Sequence, residues 1–193
     1  MPTAARILLI LAILLIAVTT PAQAYDEVPV GGIAIIGFNF DDPDEFTFVC
    51  TTAIPDGTEI RFTDNGWTSG GTFRAGEGII SWYAPGGCAV GQIVNIKKSE
   101  HTANTTGTFD ISQDGDQILV YQGVGTVNHF IFALNSNDPG WTPTANYAYN
   151  SALPTGLDST NSIALNEIDN AIYTGTQSFD SVSLALAAIV DKS

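Results

Sequence analysis

A chain of 193 residues with 6 Lys and Arg against 20 Asp and Glu carries a formal charge of −14, and its length suits a single domain with a substantial core. That balance excludes nucleic acid as a partner, because phosphate binding needs a cationic surface to release counterions, and it disfavours anionic membranes for the same reason. Such acidity fits solubility in saline media or an affinity for divalent cations, with a merely solvated surface as the plainer reading.

The chain opens with Arg6, an apolar run from Ile7 to Val18 and the small-residue segment Ala22-Gln23-Ala24. This pattern predicts a signal peptide over residues 1–24. The apolar run is shorter than the ~18 to 20 residues a membrane-spanning helix needs, so no membrane span is expected after cleavage. The mature protein, beginning near Tyr25, is expected to be secreted, extracellular or at the cell surface, as one β-sandwich domain over residues 25–193. Losing Arg6 and no acid leaves 5 cations against 20 acids, a charge of −15.

From Gly32 onward, apolar and polar residues alternate in short runs broken about every eight to twelve residues by turn formers, the all-β pattern. Ile33 to Phe38 is almost wholly apolar and predicts a strand buried on both faces. Asn39, Asp41, Asp42 and Asp44 follow within a few residues. They offer hard oxygen ligands that suit Ca2+, although the spacing departs from the EF-hand loop and equally describes a solvated turn.

Phe46, Phe48 and Cys50 alternate with Thr47 and Val49, and Ile54-Pro55-Asp56-Gly57 reads as a turn. In the strand from Glu59 to Thr63, Ile60 and Phe62 face one way while Arg61 faces the other. It runs into Asp64-Asn65-Gly66-Trp67, which reads as a strand end, an Asn-Gly turn and an aromatic lid. Asp64, Asn65 and Trp67, with Trp141, are the candidate ligand-binding residues, since both tryptophans follow Gly-containing turns. A wider aromatic platform would add Tyr83, Tyr121, Tyr147 and Tyr149, whereas Trp82 lies within a strand and reads as core.

Further strands are expected at residues 78–83, 92–96, 117–121 and 129–134, and this number of short strands favours a sandwich. Beyond Asn135 the chain turns rich in Pro, Asn and Ser, predicting a long covering loop with late edge strands near residues 162–165 and 171–173. Val182, Leu186, Ile189 and Val190 recur at helical spacing, predicting a short C-terminal helix packed on the sandwich.

Catalytic signatures are sparse, and no catalytic residue is assigned. His101 and His129 are the only histidines, with no nucleophile elbow and no metal-binding His pair. A hydrolase would have to use paired carboxylates, with Asp64 and Glu77 as the pair to test. Cys50 and Cys88, the only cysteines, are expected to form a disulfide in an oxidising compartment. Asn104-Thr105-Thr106 is a sequon, usable only in a eukaryotic secretory host.

Three blocks, Ile35-Ile36-Gly37-Phe38-Asn39, Phe62-Thr63-Asp64-Asn65-Gly66-Trp67 and Gly115-Asp116-Gln117-Ile118-Leu119-Val120-Tyr121, together resemble secreted bacterial proteins related to lamin-tail-like domains. The resemblance implies an immunoglobulin-like β-sandwich used outside the cell as an accessory or surface module, with no shared catalytic residues. Cys50 and Cys88 depart from that pattern, and no further domain is expected after Ser193. The expected role is non-catalytic binding, adhesion or assembly, with an extracellular glycan, a protein or a second copy as partner. The alternatives are a small extracellular hydrolase and a subunit that polymerises through edge strands.

Overall fold

The computed structural model describes residues 27–123 and 129–191; the expected signal peptide lies outside them. Among the described residues the fold is all-β with one short helix. The strands are β1 (Ile33–Asn39), β2 (Glu45–Cys50), β3 (Ile60–Thr63), β4 (Ile79–Trp82), β5 (Ile93–Lys97), β6 (Thr105–Thr106), β7 (Gln117–Gln122), β8 (His129–Asn135), β9 (Ser162–Ala164) and β10 (Asn170–Ile172), followed by α1 (Val182–Val190). Every strand read from the alternation is present to within one residue. The two-residue β6 was not legible, being too short to carry a period.

The strands form a four-stranded sheet in the order β10-β1-β2-β5 and a six-stranded sheet in the order β6-β4-β3-β7-β8-β9. All pairings are antiparallel except β8 with β9. A parallel pair cannot be joined by a hairpin, so the loop from Ser136 to Asn161 must carry the chain back along the sheet. That requirement places a long irregular segment over the sheet's outer face.

Inward-facing residues of both sheets build one apolar core. Phe46 and Phe48 of β2 meet Phe62 of β3 with ring centroids 4.9 and 5.3 Å apart, and Trp82 of β4 meets Phe48 edge-on at 5.2 Å. Trp82 is therefore core, as its place in a strand suggested. The outer face of the six-stranded sheet is also covered: Leu119, Tyr121, Phe130 and Ala133 form a second cluster with Trp67, Ala152 and Leu157. Burial on both faces explains why every residue of β7 is buried.

Helix α1 starts where Ser181 Oγ accepts the Leu184 N–H, an N-cap that satisfies one otherwise orphaned donor. Leu186, Ile189 and Val190 pack on the core. Val182, expected on the same face, is instead exposed with Leu184, because it lies in the first turn, ahead of the stretch that meets the sheet.

Cys50 and Cys88 form the disulfide, with Cα atoms 6.3 Å apart. It ties the end of β2 to the segment leading into β5, where Cys50 N–H donates to Gln92 O and Gly91 N–H to Cys50 O. Its ends are separated by 38 residues, a closure worth about 4 kcal/mol through the unfolded chain's lost entropy. Replacing both cysteines by Ala should lower unfolding free energy by about that amount in urea titration. A loss below ~1 kcal/mol would show that the β2 to β5 pairing holds the join unaided.

Candidate functional site

The polar residues closing β3 act as a junction. Thr63 Oγ1 donates to Gly78 O at 2.6 Å and accepts Asn65 N–H at 3.1 Å. Asn65 Nδ2 donates to Thr63 Oγ1 and to Gly78 O, and Asn65 Oδ1 accepts Glu77 N–H at 3.2 Å. Asp64 is fully buried; one carboxylate oxygen accepts Gly78 N–H and the other Asp110 N–H, each at 2.8 Å. Gln117 Nε2 donates to Asp64 O and to Ala148 O. Four chain segments, the β3 end, the approach to β4, the approach to β7 and the covering loop, thus meet on Asp64 and its neighbours.

Trp67 carries the junction outward. Its N–H donates to Ser151 Oγ at 2.8 Å, and its carbonyl accepts Ala145 N–H and Ala152 N–H at 3.0 Å each. Its ring stacks edge-on against Phe73 and Phe130 at 5.0 and 4.8 Å. At 8% exposure Trp67 is an anchor beneath the loop rather than a surface ring. Trp141 is half-buried against the same cluster. Asn65-Gly66 reads as a turn in the sequence, yet Gly66 has no positive φ. It is small because a Cβ there would lie 2.3 Å from Asn150 O and 2.7 Å from Ala145 Cβ.

The loop held this way exposes two aromatic rings. Asn150 Oδ1 accepts the N–H groups of Asn146 and Tyr147 at 2.8 and 3.0 Å, closing a tight turn. Tyr147 and Tyr149 then stack with centroids 5.4 Å apart and planes 4° from parallel, at 57% and 44% exposure.

Two acids of the junction, Asp64 and Asp116, are buried, and Glu77 beside them is half-buried. Burial pushes Asp64 up to about 6, although the Asp110 and Gly78 N–H groups oppose the shift. Burial and then the Asp64 charge push Glu77 up to about 7, against the pull of Arg74, whose guanidinium is 3.6 Å from Glu77 Oε2. Asp116 is raised well above the usual carboxylate range by burial, opposed by the Ser112 and Gln117 N–H groups. Glu77 Oε2 and Gln117 Oε1 are buried with no hydrogen-bond partner among the described residues.

The acidic turn after β1 does not gather its four ligands. Asn39 Oδ1 accepts Asp41 N–H, and Asp41 accepts Gln113 Nε2 and Asn170 Nδ2. Asp44 turns inward, where it pairs with Lys98 Nζ at 3.1 Å and accepts Ile111 N–H, while Asp42 stays exposed. Lys98 also bonds Asp110, and these two carboxylates hold its proton against the cost of burial. Among the described residues no group of three or more His, Cys, Asp or Glu is placed to hold a metal ion. Asn104 is exposed at the end of a short 3-10 turn.

Asp116 and Gln117 were missed as members of the junction. Their signal was available: an adjacent acid and amide opening an otherwise apolar strand must find buried partners. Comparison of the chain with family models, curated proteins and solved structures finds no match.

A carboxyl group whose folded pKa is raised binds its proton more tightly in the folded state, so its stabilising contribution is complete below the unfolded value and lost as pH rises through the folded one. For Glu77 that window runs from 4.5 to about 7. Urea-derived stability should therefore decline across this window, and Glu77→Gln should flatten the decline by removing the titrating group. An unchanged slope in the variant would assign the pH dependence elsewhere.

Proposed function

We propose that this protein is a secreted, non-catalytic binding module with an immunoglobulin-like body, and that its ligand surface is the covering loop bearing Tyr147 and Tyr149. The observation carrying this reading is the parallel, exposed tyrosine pair on a loop braced from below. Aromatic rings are large, stiff contact surfaces that lose little conformational freedom on binding. Exposed on a polar loop rich in Asn, Thr and Ser, they suit the C–H faces of sugar rings, with hydroxyls meeting the polar neighbours. An extracellular glycan is the ligand class. The disulfide is consistent with an oxidising compartment.

On this reading Asp64, Asn65 and Trp67 support the ligand surface without touching the ligand, and Trp141 borders it. Asp64 suits this role better than a hydrolase role, because both its oxygens already accept backbone N–H groups.

Glycan-array screening of the full chain, followed by calorimetry on the best binder, tests the assignment. Replacing Tyr147 and Tyr149 together by Ala should weaken binding about tenfold or more while leaving the melting temperature unchanged. Binding that survives the double substitution, or no glycan binding at millimolar ligand, would sink it.

A further inference from the structure

On another part of the fold, a cleft of about 480 Å3 opens where the four-stranded sheet ends at β10 and the six-stranded sheet ends at β9. Its walls include Ile36, Phe38, Leu165, Ile172, Tyr173 and Ile189. The volume falls within the range of ligand pockets, and the wall sets apolar side chains beside an about equal share of polar surface, with Thr174, Thr176 and Asp191 among its residues. Ile172 stands at the rim with 76% of its surface exposed.

Beside the cleft runs an open strand edge. Tyr173 N–H donates to Ile36 O and Phe40 N–H to Asp169 O, so residues 169, 171 and 173 direct their backbone groups towards β1. By the alternation of an antiparallel pair, Asn170 and Ile172 direct theirs outward, where no further strand of the sheet lies. A cleft with apolar side chains in its wall and an open strand edge are thus adjacent, the pairing of features used when an extended peptide is captured as an extra strand.

Charge selects the occupant. Between Lys98 and Lys192 the chain contains no Lys or Arg. Glu167 and Asp169 precede β10, and neither enters an ion pair among the described residues; Asp191 lines the cleft. A second copy of this chain would bring the same acids against themselves, and an anionic amphiphile would meet the same repulsion. We propose that β10 and its cleft capture an extended segment of another protein in which apolar residues alternate with Lys or Arg, the segment pairing with Asn170 and Ile172 and placing apolar side chains against Ile36 and Tyr173. This surface shares no residue with the tyrosine loop, so either site can fail without the other.

The probe is a synthetic peptide of about seven residues alternating Val or Ile with Lys, added to the full 15N-labelled chain. Three comparison ligands and variants accompany it: a twin with Glu for Lys, a twin N-methylated on one edge, and the protein variant Ile172→Lys. Saturable amide shifts should appear at Asn170 and Ile172. The Glu twin and the N-methylated twin should each bind about tenfold more weakly or worse, and Ile172→Lys should abolish the shifts without altering the melting temperature. No shifts at millimolar peptide, shifts confined to other elements, equal binding of the Glu twin, or β10 shifts produced by concentrating the protein alone would each overturn the proposal.

Discussion

Burial of the backbone at the end of β3 is the constraint on which the rest depends. A strand that leaves a sheet covered on both faces cannot turn to water for its hydrogen bonds, so partners must be supplied internally. Thr63, Asp64 and Asn65 supply them with side chains, and Trp67 passes the same service to the covering loop through its own N–H and carbonyl. Because β8 and β9 are parallel, the connecting chain has to cross the sheet, and it does so over the surface that Trp67 prepares. The exposed tyrosines owe their fixed placement to atoms well beneath them.

The same junction explains why buried acids persist here. Asp64 is useful as an acceptor for two backbone N–H groups, and Asp116 does the same for Ser112 and Gln117. Carboxylates in that role carry a desolvation cost, offset in part by the N–H groups they hold. Glu77 Oε2 accepts no hydrogen bond among the described residues and has the Arg74 guanidinium, 3.6 Å away, to offset its desolvation. The cationic side chains are few, and Lys98 is committed to Asp44 and Asp110. The stretch between Lys98 and Lys192 is left without Lys or Arg, which shapes what can approach β10.

The strands were legible because alternation records burial directly: Phe46, Phe48 and Cys50 point inward and their neighbours do not. The disulfide was legible because only two cysteines exist. What alternation could not record was the second buried face. Trp67 looks like a surface residue beside an Asn-Gly pair, and only the loop some eighty residues later, through Ser151 and Ala152, makes it interior. Gly66 misled for the same reason, since steric approach by Asn150 and turn geometry both select Gly. The partner of Asp44 was not legible, because Lys98 lies far from it in sequence.

Hydrogen exchange on a Gly66→Ala variant tests the clamp most directly. The added Cβ would meet Asn150 O at 2.3 Å, so the loop must lift while the sheets keep their pairing. The account predicts faster exchange at the Ala145 and Ala152 amides, which donate to Trp67 O, with β7 and β8 amides as protected as before. Unchanged protection at Ala145 and Ala152 would contradict it, as would equal loss of protection across β7 and β8.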